Sequence, residues 1–145
     1  APLQDPLKVG EKYQDIIKRV VFERWQYVIE YYTATKDQYK IGESKQGFEI
    51  KLDTQLRKYE HLSIEIAEKT RKDLATWTHS GIFRKDNTKW YVQGDYKTAW
   101  FFKKSDLVKY YNENTPKTCE SYGTVRKFYL DIAIADKLAK RKIDL

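Results

Sequence analysis

The chain has 145 residues, with 28 Lys and Arg against 21 Asp and Glu for a formal net charge of +7, and 15% of its residues are aromatic. That length fits one domain, residues 1–145, able to bury a sizeable core, and a 41% hydrophobic content excludes a disordered chain. The positive balance favours a polyanionic partner, nucleic acid first, and works against basic protein ligands.

Cys119 is the sole cysteine, so an internal disulfide and a multi-cysteine zinc site are both excluded. A reducing, cytoplasmic setting is the expectation. No apolar run approaches the roughly 18 residues of a membrane span, and no signal-peptide core is visible, so no membrane partner is expected.

Apolar residues recur at Tyr13, Ile16, Ile17, Val20, Val21, Trp25, Val28, Ile29 and Tyr32. The spacing predicts one long amphipathic helix that carries Glu23 and Glu30 on a shared flank, with the stem of Arg24 against the apolar arc. Tyr39 to Gly47 then reads as a short strand and a turn around Ser44 to Gly47, entering the strand Gly47 to Asp53. In that strand Phe48, Ile50 and Leu52 alternate with Glu49, Lys51 and Asp53, the pattern of one buried face. The hairpin would set Glu43 almost opposite Glu49, with Asp37 further out.

Thr54 to His61 is a polar connection. Leu62, Ile64 and Ile66 alternate with Ser63, Glu65 and Ala67, which predicts a second half-buried strand; antiparallel pairing with 47–53 would bring Glu65 to the same charged face. Lys69 to Asn87 is basic, with Arg71, Lys72, Arg84 and Lys85 interleaved with Trp77, His79 and Phe83. Such a loop can hold a phosphate backbone and stack a base, and it can equally be a solvated loop whose aromatics cover the core. Residues 89–93 and 96–102 predict a hairpin about Gly94-Asp95. Ser105 is a candidate N-cap for a short helix, 106–112. Asn114 to Gly123 reads as loop, Val125 to Leu130 as an edge strand or turn, and 132–142 as a last helix whose basic end complements its dipole.

Three acid-x-Lys pairs occur, Glu43/Lys45, Glu49/Lys51 and Asp95/Lys97, and only Glu49/Lys51 lies in a strand of strict alternation. Carboxylate, ammonium and carboxylate spaced about 7 Å apart along one strand face can hold a divalent cation and the water it activates. A solvated face of mutually attracting charges would show the same pattern. His61 and His79 lack metal-ligand spacing, Cys119 has no His nearby in sequence, and no Gly-rich phosphate loop or nucleophile elbow occurs.

The order helix, acidic strand, Glu49-Ile50-Lys51, Leu62-Ser-Ile-Glu-Ile-Ala-Glu68 and Ser80-Gly81-Ile82 resembles the PD-(D/E)XK nuclease superfamily, in particular its small phage-type endonuclease-like proteins. The resemblance spans about Tyr13 to Trp100. It implies a restriction-endonuclease-like fold and an Mg²⁺- or Mn²⁺-dependent endonuclease acting on DNA, with RNA as the other polymer. By it Glu49 would ligate the metal, Lys51 would orient or activate the attacking water, and Glu43 or Asp37 would be the second ligand, with Glu30 or Glu23 in support. No Pro-Asp pair precedes the Glu-x-Lys, so the second ligand stays open between Glu43 and Asp37.

The expected architecture is α+β: a mixed, mainly antiparallel central sheet flanked by the long N-terminal helix and shorter C-terminal helices. The expected function is metal-dependent phosphodiester hydrolysis, and a homodimer would let two sites cut two strands. The alternatives are a non-catalytic nucleic-acid-binding module on a degenerate nuclease fold, and a protein-interaction domain using its aromatic surface.

Overall fold

The structure is a computed structural model and describes residues 5–145. It is α+β, with mostly antiparallel strands, and the strands form two four-stranded sheets in place of one central sheet.

Helix α1, Pro6–Trp25, buries Tyr13, Ile17 and Val21, one apolar row at a spacing of four. Each such side chain stabilises the fold by about 1.5–3 kcal/mol. The helix stops seven residues short of the predicted Tyr32. Gln26 takes a left-handed conformation (φ 51°) and donates its N–H to Phe22 O at 2.8 Å. The run Tyr27-Val-Ile-Glu-Tyr-Tyr32 that follows is β-branched and aromatic, which weakens helix propagation. Ile29 nevertheless reaches the core, from extended chain. Arg24 is exposed rather than laid along the apolar arc.

The strand expected around Tyr39 is instead helix α2, Thr35–Lys40, with Asp37 in its first turn, where a negative charge suits the helix dipole. The turn before β1 (Phe48–Leu52) is as expected, and buried Ser44 closes it. Its Oγ accepts from Phe48 N (2.7 Å) and donates to Phe48 O (3.0 Å).

β1 is an edge strand, and its neighbour is neither of the segments predicted. It pairs in parallel with β4 (Trp90–Gly94), Glu49 opposite Tyr91 and Lys51 opposite Gln93. β4 forms the predicted hairpin with β5 (Thr98–Lys103), closed by Asp95 Oδ1, which accepts from Lys97 N and Thr98 N. After β1 the short helix α3, Leu56–Tyr59, carries the chain into the other sheet, where β2 (His61–Glu68) pairs with β3 (Thr78–His79) and β7 (Val125–Asp131). The predicted antiparallel pairing of β1 with β2 therefore does not form.

Helix α4, Lys104–Asn114, follows β5 directly; its N-cap is Lys103, not Ser105. The predicted loop 114–123 contains β6, Thr118–Ser121, which makes β7 an interior strand of the order β3-β2-β7-β6. The last predicted helix divides into α5 (Ile132–Leu138) and β8 (Arg141–Asp144), which adds to β5 and buries Ile143. The basic tail thus lies on a sheet edge and not at a helix end.

Two apolar clusters follow from the strand alternation. Phe48, Ile50, Val92, Ala99 and Phe101 face α1. Tyr91, Trp100 and Phe102, on the other side of the same sheet, meet Leu62, Ile64, Ile66, Phe128 and Leu130. Glu49 and Lys51 share that second side, at the margin where β1 leaves the sheet open. Among the described residues no helix is long and apolar enough to cross a membrane.

Candidate active site

Glu49 is 2% exposed, a carboxylate at the edge of an apolar layer. Burial pushes its pKa up to about 7; Lys51 pulls it down, and Glu43 and Asp86 push it further up. Lys51 is half-buried. Burial disfavours its ammonium, yet Glu49, Glu43 and Glu65 outweigh that and raise its pKa, so Lys51 is charged throughout the physiological range. Glu43 lies on the loop between α2 and β1, not on a strand. Its Oε2 accepts from Ile50 N at 3.3 Å and its Oε1 is 4.0 Å from Lys51 Nζ. Burial raises Glu43 too, against the pull of Lys51.

Asp86 and Lys104 complete the group, and sequence reasoning missed both. The Asp86 side chain is 1% exposed; its Oδ1 accepts from Lys104 Nζ and Thr88 N, each at 2.9 Å. Asn87 ties this segment to the turn before β1, donating its N–H to Ile41 O and its Nδ2 to Ser44 O. Among the described residues two buried carboxylate oxygens have no hydrogen-bond partner: Glu49 Oε2 and Asp86 Oδ2. The one sequence signal for Asp86 is the Asx-turn pattern Asp86-Asn87-Thr88, which marks a turn and carries no sign of burial.

The other expected residues divide. Glu65 enters from β2, close enough to act on Lys51. Its carbonyl is held against Gly81 of the Ser80-Gly81-Ile82 turn, where a Cβ would lie 2.0 Å from Glu65 O. Glu30 is not in the group. It is exposed, accepts from Gln46 Nε2 at 3.0 Å, and sits 3.6 Å from Lys45, because the helix that was to carry it ends at Trp25. Glu23 is exposed on α1, and neither it nor Asp37 is among the charges acting on Glu49, Glu43 or Lys51. Asp53 shares the strand face but is a structural tie: Oδ1 accepts from Gln55 N, and Oδ2 from Ser63 N and Gln93 Nε2, both at 2.9 Å.

Of the basic residues, Arg84 faces the site and acts on Lys51 and Glu43, while its Nη2 donates to Gln38 O and Tyr39 O at the end of α2. Lys85 lines, with Asp86, Lys89 and Lys104, a cavity of about 650 Å³. Lys69 Nζ (4.5 Å from the ring centre) and Arg126 Cζ (4.2 Å) both lie over the ring of half-buried Trp77, which packs against the apolar cluster between the sheets. Arg71 pairs with Asp73 at 3.4 Å, and Lys72 packs by Gly123. These last three do not line the cavity.

No family model, curated protein or solved structure matches this chain. Among the described residues no three His, Cys, Asp or Glu side chains gather as a ready metal-binding group. Two unpartnered carboxylate oxygens still suit Mg²⁺ or Mn²⁺: a small hard cation keeps much of its water and takes one or two protein carboxylates with phosphate oxygens filling the rest.

Proposed function

We propose that the chain is an Mg²⁺- or Mn²⁺-dependent endonuclease that hydrolyses phosphodiester bonds in DNA, with the restriction-endonuclease-like arrangement its motifs resemble. One observation carries the reading: two carboxylates that act on one another, Glu49 beside the charged Lys51 and Asp86 in the lining of a basic cavity, each keep a buried oxygen without a partner. Unpaired buried acceptors are costly, and a bound cation is the partner that offsets the cost. Glu49 and Asp86 would hold the cation, which when bound polarises the phosphoryl oxygen and lowers the pKa of a water.

The chain's own side chains supply the rest. Lys51 presents an ammonium where charge grows on the phosphate. Glu43, anchored on Ile50 N, positions that ammonium. Lys104 partly neutralises Asp86, and Lys85 and Lys89 hold the backbone of the polymer. Glu49 must be ionised to bind a cation, and burial raises its pKa in the metal-free protein, so protons compete with the metal and the concentration of metal needed for activity falls as the pH rises.

A second reading, a nucleic-acid-binding module without catalysis, is favoured by the lack of a three-ligand group among the described residues. Nicking of supercoiled plasmid separates the two. The nuclease reading expects nicking that requires Mg²⁺ or Mn²⁺ and falls by at least about a hundredfold in Glu49→Gln and in Lys51→Ala. Salt-sensitive binding by a folded protein that never nicks, with either metal, is the outcome that overturns it.

A further inference from the structure

Because α1 ends at Trp25, the sheet face it covers is left open beyond its last turn. A cavity of about 470 Å³ lies there, walled by Trp25, Tyr27, Phe48, Trp90 and Phe101, with Lys103, Lys140 and Arg141 at its mouth and no acid in its lining. Phe48 and Trp90 are near-parallel, with an interplanar angle of 20°, and Trp25 meets Phe101 edge-on. Trp25 and Tyr27 remain 42% and 45% exposed. Lys140 sits 3.4 Å from Asp106, whereas Lys103 and Arg141 form no ion pair among the described residues.

The cavity does not stand alone. It shares Trp90 and Lys103 with the basic cavity that Asp86 and Lys104 also line. The aromatic recess and the cavity lined by the unpartnered carboxylate therefore adjoin through Trp90 and Lys103.

We propose that this recess is a base-binding subsite, taking an unpaired nucleotide of a DNA strand whose backbone crosses Lys103 and Lys89 toward Asp86 and Glu49. Aromatic walls bind any nucleobase through its flat face, and uncompensated cations at the mouth suit the phosphate joined to it. The volume lies within the range of small-ligand sites. In a duplex the base faces are already stacked, so the recess selects for single-stranded, frayed or branched DNA. The proposal rests on the nuclease reading for its substrate class and deepens it.

The test is affinity in EDTA, where no cleavage occurs. A labelled single-stranded oligonucleotide is compared with the blunt duplex of the same sequence by fluorescence anisotropy. The single strand is expected to bind about tenfold tighter, and the double substitution Trp25→Ala, Tyr27→Ala is expected to remove that preference, with duplex affinity unchanged. Lys103→Gln, at an exposed position, should flatten the salt dependence of single-strand binding by roughly one phosphate contact.

Equal affinity for strand and duplex, an unchanged double variant, or self-association that shields Trp25 and competes with the oligonucleotide would each overturn the proposal. Binding in EDTA is read without turnover, so the two readings fail separately. A protein that prefers single strands but never nicks loses the catalytic reading, and one that nicks without strand preference loses the subsite.

Discussion

Replacing Glu49 by Gln is expected to stabilise the fold at alkaline pH and to leave it unchanged in acid. Burial pushes the Glu49 carboxyl from its ordinary 4.5 up to about 7, Lys51 notwithstanding. Between those values the folded state binds a proton that the unfolded state has released, so stability is fully present below 4.5 and is lost as the pH rises through 7. At about 1.4 kcal/mol per pH unit, the displacement corresponds to roughly 3 kcal/mol that the ionised carboxylate costs the metal-free protein at pH 8. An unfolding entropy of about 2.1 cal/mol/K per residue over this length turns that into a rise in Tm of up to about 10 °C. Circular-dichroism melts of wild type and Glu49→Gln in EDTA, at pH 4 and pH 8, read the difference directly. A variant that melts lower than wild type at pH 8 would refute the reasoning, because it would mean that Lys51 outweighs the burial of Glu49.

Three further outcomes follow from the same geometry. Glu43→Gln should slow nicking by about ten- to a hundredfold while leaving Mn²⁺ affinity within a factor of a few if, as proposed, Glu43 positions Lys51 and Asp86 takes the second ligand place; equal losses in both would return Glu43 to the ligand role its place in the sequence suggested. Asp53→Ala should cost about 3 kcal/mol in urea denaturation, because it leaves Gln55 N, Ser63 N and Gln93 Nε2 short of an acceptor; an unmoved midpoint would show that the two sheets are not tied there. Gly81→Ala should cost at least about 2 kcal/mol, with φ at +56° and the new Cβ driven against Glu65 O; a melt like that of wild type would count against it.

Local alternation made β1 readable as a strand. In Phe48-Glu-Ile-Lys-Leu52 the apolar side chains share one face and Glu49 and Lys51 the other, as the pattern implies, but Phe48, Glu49 and Ile50 are all buried, so both faces are covered there and the single buried face expected from alternation is not found. Its partner was not readable, since β1 pairs in parallel with a strand some forty residues on, and nothing in either segment encodes a neighbour that distant. Glu30 illustrates a different failure. Its apolar neighbours keep helical spacing past Trp25, but the chain turns at Gln26, a left-handed residue with no glycine to announce it.

Glu43 reached the site for a reason other than the one supposed. It comes from a loop fastened to the edge of β1, where its carboxylate accepts from Ile50 N, and not from an opposing strand. Asp86 and Lys104 sit at junctions, one after the Ser80-Gly81-Ile82 turn and one where β5 becomes α4. Their meeting is a product of tertiary packing. The surroundings of Trp77 were unreadable for a similar reason: of the two cations over its ring, Lys69 and Arg126, the second comes from β7.

The most direct measurement is a crystal of the protein soaked in Mn²⁺ at pH 8, with anomalous scattering used to locate the ion. One strong peak within coordination distance of both Glu49 Oε2 and Asp86 Oδ2, absent in Glu49→Gln crystals treated identically, is the result expected here. Manganese density elsewhere, or none in a well-diffracting crystal, would contradict the account.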